Sequence, residues 1–290
     1  MSIETPMTYE DCARQAVATL SHKYPASEAR WMTRLIFEHL KGYSPTDMII
    51  HGQQPVSDFI AQRVDETVSR VMADEPLQYV LGTARFYGMD FKVTPAVLIP
   101  RPETETLVDA IVDRYGHTYD LGVLDLGTGS GCIAISLARN LPFARVEAVD
   151  ISPAALDVAR ENATGLRVKI VFRQADILTL SLPPDSYDII VSNPPYICDS
   201  ERASMARNVL DHEPATALFV PDNDPLRFYR AISRIGRTAL VSGGTLWLEI
   251  NPLHADETAS MLRADGWHDV TLMPDERALQ RFICATNPDD

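Results

Sequence analysis

From Gly122 to the C-terminus, short apolar runs alternate with helix-like stretches, and no other feature of the chain restricts its fold so tightly. The runs fall at 122–127, 145–150, 168–173, 187–192, 245–250 and 268–273, with helical patterning between most of them. Such runs read as strands buried on both faces, and parallel strands need helical crossovers. The pattern predicts an α/β fold with a doubly wound sheet. A last run, Gln280 to Ala285, follows the sixth after a polar loop too short for a crossover, so it is expected to pair antiparallel. The sheet would then have seven strands, mostly parallel.

The N-terminal part is patterned differently. Trp31, Met32, Leu35, Ile36 and Leu40 form one apolar stripe at helical spacing, and Val56, Ile60, Val64, Val68 and Val71 form another. Thr8 with Asp11 has capping-box spacing, Ser27 and Ser57 are further helix starts, and Gly42 and Pro76 are stops. Between Leu77 and Pro100 the chain becomes β-rich, and Phe86-Tyr87, Gly88-Met89-Asp90 and Phe91-Lys92-Val93 read as a hairpin. Pro102, followed by Glu103 and Glu105, suits a helix N-terminus. The expected division is a small all-helical domain over 1–76, a β-hairpin linker over 77–100 and the sheet domain over 101–290.

Composition narrows the function classes. A chain of 290 residues, 46% hydrophobic and 23% charged, is globular and has room for about two domains of ~150 residues. The net charge, 26 minus 40 or −14, repels a phosphate backbone and disfavours nucleic acid as the main ligand. No run approaches the ~20 apolar residues of a membrane span. The first ten residues hold two glutamates and no basic residue, so neither a membrane anchor, a secretory signal nor a transit peptide is expected. Cys12, Cys132, Cys198 and Cys284 form no CxxC pair, which argues against a zinc site or a disulfide framework and for a reducing cytoplasm.

Asp125-Leu126-Gly127-Thr128-Gly129-Ser130-Gly131 leaves the first strand of the sheet domain and opens a helix through Ile133, Ile135 and Leu137. Glycines in such a turn let the backbone approach a ligand over the helix N-terminus; they also serve a turn with no ligand. The dinucleotide fingerprint needs glycines at its first, third and sixth positions, but here the sixth is Cys132 and the third glycine comes one residue early. NAD is thereby disfavoured. Asp150 ends the second strand, where a carboxylate accepts the ribose hydroxyls of an adenosine-containing cofactor, NAD or S-adenosylmethionine alike, or caps the helix at Pro153. Asp176, ending the third strand, either meets an adenine amino group or is a turn residue.

Asn193-Pro194-Pro195-Tyr196 follows the fourth strand directly and is the most specific motif in the chain. Its two prolines stiffen the segment. A planar NH2 group is a poor nucleophile because its lone pair is delocalised, so methylating it requires fixed acceptors on its two hydrogens and an aligned methyl donor. Asn193 Oδ1 and the Pro194 carbonyl are candidate acceptors, and Tyr196 offers a flat face. No strong base is demanded, because the methylated cation is very acidic.

With these motifs the chain resembles the HemK/PrmC family of protein glutamine N5-methyltransferases acting on peptide chain release factors. The resemblance spans almost the whole sequence and includes Glu75 to Tyr79, Gly82, Phe86, Val97 to Glu105, Asp125 to Gly131, Val191 to Ile197, Glu213-Pro214, Ala217-Leu218 and Leu248-Glu249-Ile250. It implies a Rossmann-like S-adenosylmethionine-dependent methyltransferase domain in which Gly127, Thr128, Gly129, Ser130, Gly131 and Asp150 hold the cofactor. It also implies that Asn193 touches cofactor and substrate, that Asn193, Pro194, Pro195 and Tyr196 hold the glutamine of a Gly-Gly-Gln motif, and that the helical domain helps dock the release factor. A cytoplasmic monomer is expected. Asn251, Asn223-Asp224-Pro225 and Ile177 depart from the family pattern at positions outside the tetrapeptide. Competing readings are a ribosomal-protein glutamine methyltransferase, a DNA or RNA base-amine methyltransferase and a non-catalytic S-adenosylmethionine-binding module.

Overall fold

The computed structural model describes residues 6–288, which divide into two compact units at Gly82. The first holds five helices among its described residues: α1 (Tyr9–Leu20), α2 (Ala26–Lys41), α3 (Pro45–His51), α4 (Asp58–Met72) and α5 (Leu77–Leu81). The Thr8 hydroxyl accepts the Asp11 N–H at 3.1 Å and Asp11 Oδ2 accepts the Thr8 N–H, completing the expected capping box. Ser44 and Asp47 repeat that box at α3, which the sequence reading did not identify. Ser57 caps α4 as expected, whereas α2 starts one residue before Ser27, after Pro25.

Val56, Ile60, Val64, Val68 and Val71 are all buried. On α2 the buried face is Ala29, Met32, Thr33, Ile36 and Phe37, while Trp31, assigned to the stripe, is 42% exposed. Steps of three and four residues from Ala29 rotate the apolar face away from Trp31. Pro76 does not stop α4, which already ends at Met72; it caps α5, so Leu77–Leu81 is helical where a β-rich stretch was expected.

The second unit opens with a hairpin of β1 (Thr83–Phe86) and β2 (Met89–Lys92). Its two-residue turn, Tyr87-Gly88, has φ of 48° and 71°, the left-handed pair that matches strand twist. Then come α6 (Pro102–Tyr115), β3 (Gly122–Leu126), α7 (Cys132–Asn140), β4 (Arg145–Asp150), α8 (Pro153–Gly165), β5 (Val171–Gln174) and β6 (Tyr187–Ser192). They are followed by β7 (Ile197–Cys198), α9 (Arg207–His212), β8 (Phe219–Val220), α10 (Arg227–Ala239), β9 (Leu240–Glu249), α11 (Ala255–Ala264), β10 (His268–Pro274) and β11 (Gln280–Thr286). The main sheet has seven strands in the order β5-β4-β3-β6-β9-β11-β10, all parallel except β11, which is antiparallel to both neighbours.

Both faces of the sheet are covered, and alternate residues serve opposite sides. Ile189, Val191 and Trp247 join the core with α6 and α7, whereas Ile190, Leu246 and Leu248 join the core with α10 and α11. Three details differ from the apolar runs. β5 begins at Val171, not Val168, because the Val168 N–H donates to the Ala163 carbonyl and closes α8. β9 begins five residues before the run at 245 and passes an irregularity that includes Gly243 and Gly244, a pair that reads as a loop. The short parallel pair β7–β8 ties the exit of the Asn193 tetrapeptide to residues 218–220, with the Ile197 N–H donating to the Leu218 carbonyl at 2.9 Å.

Candidate active site

The strand order reverses at β3, whose neighbours β4 and β6 continue the sheet in opposite directions. Ligands of open α/β sheets bind at the carboxyl edge beside such a reversal. Two loops emerge there from adjacent parallel strands, the glycine loop after Leu126 and the tetrapeptide after Ser192, and Leu126 and Ser192 are register partners. The Ser192 hydroxyl donates to the Leu126 carbonyl at 2.5 Å, joining the roots of the two loops.

The glycine loop is bound by its own backbone. The N–H groups of Gly127 and Thr128 both donate to the Val149 carbonyl, and the Gly129 N–H donates to Asp150 Oδ2 at 2.9 Å. Gly131 has φ +81°, and a Cβ there would lie 3.2 Å from the Ala159 Cβ, so this glycine serves close packing of α7 against α8. Gly129 differs, since a Cβ there would meet no protein atom within 4 Å.

Gly129 faces a cavity of about 320 Å³. Gly127, Thr128, Gly129, Ser130, Asp150, Asp176, Asn193 and Pro195 line it, while Gly131, Pro194 and Tyr196 are not among its lining residues. Ile177 lines it too, its Cδ1 3.6 Å from where a Gly127 Cβ would be. Asp150 Oδ1 accepts the Ser152 N–H at 2.9 Å, and Ser152, not Asp150, caps α8. Burial pushes the Asp150 carboxyl up, and N–H donors from Ser152, Gly129 and Ile151 oppose this. Asp176 accepts the Leu178 N–H at 2.9 Å in a local turn and still lines the cavity.

Asp125, at the root of the loop, is fully buried and accepts the Thr128 hydroxyl at 2.6 Å. Burial pushes its carboxyl up to about 7, against the Thr128 hydroxyl and the Ala134 N–H. The unfolded chain releases this proton near pH 3.8 and the folded chain near 7. The carboxyl therefore contributes stability that is full below the lower value and lost as pH rises through the higher. Thermal melts should show wild type losing ground to Asp125→Asn between about pH 4 and about pH 7; a constant difference in Tm would remove the assignment.

The tetrapeptide is held from behind. Asn193 Nδ2 donates to Thr104 Oγ1 at 3.3 Å, the Thr104 hydroxyl donates to Glu249 Oε2 at 2.6 Å, and the Tyr196 hydroxyl donates to Glu249 Oε1 at 3.0 Å. Glu249 is 1% exposed. Burial pushes its carboxyl up, and the Thr104 and Tyr196 hydroxyls and the Arg281 charge oppose that rise. Asn251 Nδ2 donates to the Tyr196 carbonyl at 3.0 Å and to Glu201 at 2.8 Å, bonds that a glycine there could not make. Another buried carboxylate, Glu213, accepts the Ile99 N–H at 3.2 Å and pairs with Arg101 at 2.6 Å, joining two segments that line the same cavity.

Residues 11–82 match the PrmC N-terminal domain, and residues 123–212 match a methyltransferase domain. A methyltransferase from Pyrococcus furiosus shares the fold, with a TM-score of 0.51 at 13% identity over 78% of this chain and 100% of that one. The release factor glutamine methyltransferase of Bacteroides thetaiotaomicron is 42% identical over 268 residues, 92% of this chain and 96% of its own. That of Streptococcus pneumoniae is 45% identical over 216 residues, covering 74% of this chain and 76% of its own. This chain belongs to the release factor glutamine methyltransferase family.

S-adenosylmethionine is the cofactor of this methyltransferase fold, and the cavity fits it. A backbone cradle open at Gly129 admits a close approach, Asp150 and Asp176 supply carboxylates, and Val97, Leu98, Ile133 and Ile177 supply apolar walls. Asp150→Ala should weaken cofactor binding by ~1–3 kcal/mol, the usual loss for bonds to a charged acceptor. Calorimetry on the folded variant checks this, and unchanged affinity would end the ribose assignment. Arg227 and Phe228, at the start of α10, also line the cavity. The sequence reading missed them because they lie in an ordinary amphipathic pattern; the helix start near Pro225 was the available signal.

Proposed function

We infer that this member of the release factor glutamine methyltransferase family transfers the methyl group of S-adenosylmethionine to the side-chain amide nitrogen of a release factor glutamine, the one in its Gly-Gly-Gln motif. The observation that carries the reading is the adjacency of the glycine loop and Asn193-Pro194-Pro195-Tyr196 on two neighbouring parallel strands, with Gly129, Asp150 and Asn193 on one cavity. The cofactor supplies an electrophilic methyl group.

The chain's own residues orient the acceptor. Asn193 Nδ2 is committed to Thr104, which leaves Oδ1 free to accept one hydrogen of a substrate NH2 group. The Pro194 carbonyl accepts the other in this reading. Fixing both hydrogens turns the amide nitrogen toward the methyl donor, an effect of positioning rather than of proton removal. Held over Gly129 and Asp150, the cofactor would supply a methyl group whose bond to sulfur breaks with its electrons going to sulfur as the nitrogen takes the methyl, and water would take the proton from the resulting cationic amide. The Tyr196 hydroxyl is bonded to Glu249 and its ring packs against the core, so we assign it to holding the tetrapeptide.

Among the described residues no helix is long and apolar enough to cross a membrane, and the four cysteines are free thiols. We take the cytoplasm as its place of action. The test is incubation with labelled S-adenosylmethionine and a purified release factor, then mass spectrometry of the product. One methyl group on the glutamine side chain is expected. Label appearing in a lysate only on a ribosomal protein, or on nucleic acid, would overturn the substrate assignment.

A further inference from the structure

An asparagine that must present its carbonyl oxygen to a substrate has a problem of orientation, because the amide can rotate to present its NH2 group instead. Here the solution lies outside the tetrapeptide. The Asn193 NH2 group donates to the Thr104 oxygen, and the Thr104 hydroxyl hydrogen is in turn directed to Glu249. A threonine oxygen that has given its hydrogen away can act toward Asn193 only as an acceptor, so it selects the NH2 end of that side chain. Glu249 reaches Thr104 with one oxygen and the Tyr196 hydroxyl with the other. Four side chains from α6, β9 and the tetrapeptide thus form one directional chain ending in a buried carboxylate. Buried polar networks of this kind are costly when any member is unsatisfied, and they hold a single arrangement when all are satisfied.

Resting on the methyl-transfer reading of this site, we propose that Glu249 is a positioning residue: through Thr104 it fixes the Asn193 amide with Oδ1 toward the cavity, and through the Tyr196 hydroxyl it anchors the far end of the tetrapeptide. Glu249 is not a lining residue of the cavity, so it acts through the others and not on substrate. The role needs an acceptor at both oxygens. Glutamine at this position keeps size and shape but offers an acceptor at one end and a donor at the other, so either Thr104 or Tyr196 must reverse its hydrogen bond. If Thr104 reverses, its hydrogen points at the Asn193 NH2 group, and the amide turns over.

The expected result is that Glu249→Gln and Thr104→Val each lower kcat by about 10- to 100-fold, the scale of a small misplacement of reacting groups, with KM for the intact substrate nearly unchanged; cofactor affinity should hold in Glu249→Gln, because Thr104 lines the cavity and Glu249 does not. Thr104→Ser, which keeps the hydroxyl, should restore most of the rate. The double variant Glu249→Gln with Thr104→Val should be no slower than the slower single variant, because both break one chain. Loss of fold would lower cofactor affinity as well, and in that event Thr104→Val against Thr104→Ser decides. A rate for Thr104→Val equal to wild type, or additive losses in the double variant, overturns the proposal.

A readout without turnover separates this inference from the functional reading. The Asn193 side-chain NH2 protons, followed by NMR, should exchange with water faster in Thr104→Val and Glu249→Gln than in wild type. Unchanged exchange overturns the positioning role. Failure of the wild-type enzyme to methylate a release factor overturns the substrate reading instead.

Discussion

Asn193→Ala is expected to lower kcat by on the order of 10²–10³-fold, the scale for removing one fixed polar contact that counts most in the transition state. The fold should survive. Asn193 is partly buried at a loop root, and its described side-chain bond, to Thr104, is a long one at 3.3 Å. A thermal melt therefore serves as the control for folding, and the loss should fall on kcat rather than on KM for the release factor. Asn193→Asp should fail as well. An aspartate keeps acceptors but cannot donate to Thr104, whose hydroxyl hydrogen is already given to Glu249. Two carboxylates would then compete for one hydrogen, and a negative charge beside a cationic methyl donor would stabilise the ground state more than the transition state, where that charge is spreading. If Asn193→Asp kept most of the activity, proton removal by a base would replace positioning as the mechanism.

The parts of this site that were readable in the sequence are those whose chemistry is local. A glycine loop between a strand and a helix, an acid at the next strand end and a stiff tetrapeptide after a buried strand are contiguous patterns, and the sheet brings them together because β3 and β6 are neighbours. The antiparallel β11 was legible for the same reason, since a short polar loop leaves no room for a crossover. What was not legible depends on residues far apart in the chain. Thr104 and Glu249 are separated by 145 positions and meet at 2.6 Å, and Glu213 meets Ile99 across 114 positions. The resemblance singled out the motifs that contain them without indicating that they touch. The Tyr196 hydroxyl bonds to Glu249, 53 positions away, a partner that no local pattern announces. Period and propensity do not report which way a side chain turns at a loop. Val168 and Leu77 illustrate the complementary limit: apolar residues at an element boundary served a helix end and a helical turn, where the run or composition read as strand.

A short Gly-Gly-Gln peptide should be a much poorer substrate than the intact release factor, by about 10²-fold or more in kcat/KM. The cavity offers a slim primary amide a stiff wall at Asn193 and Pro195, and glycines beside the target glutamine would let its backbone enter a narrow site. Such a pocket has little with which to read residues farther away. Affinity for a flexible loop must then come from a second contact, and joining two contacts on one molecule raises the effective concentration of the weaker, with gains of ~10²–10⁴ where geometry permits. We propose that this second contact lies on the helical domain of residues 1–76 and the hairpin after it. That domain leaves Ile49 and Ile50 on α3 and Phe59 on α4 exposed at 84%, 64% and 70%, apolar side chains that its folding does not bury. Replacing Ile49 and Phe59 with serine should raise KM for the intact factor more than for the peptide, which lacks the rest of the factor and so has no second contact to lose. Removing the whole unit should narrow the gap between the two substrates, with cofactor affinity reporting that the remaining unit is folded. Equal kcat/KM for peptide and intact factor in the wild-type enzyme would show that the active-site cavity alone carries recognition.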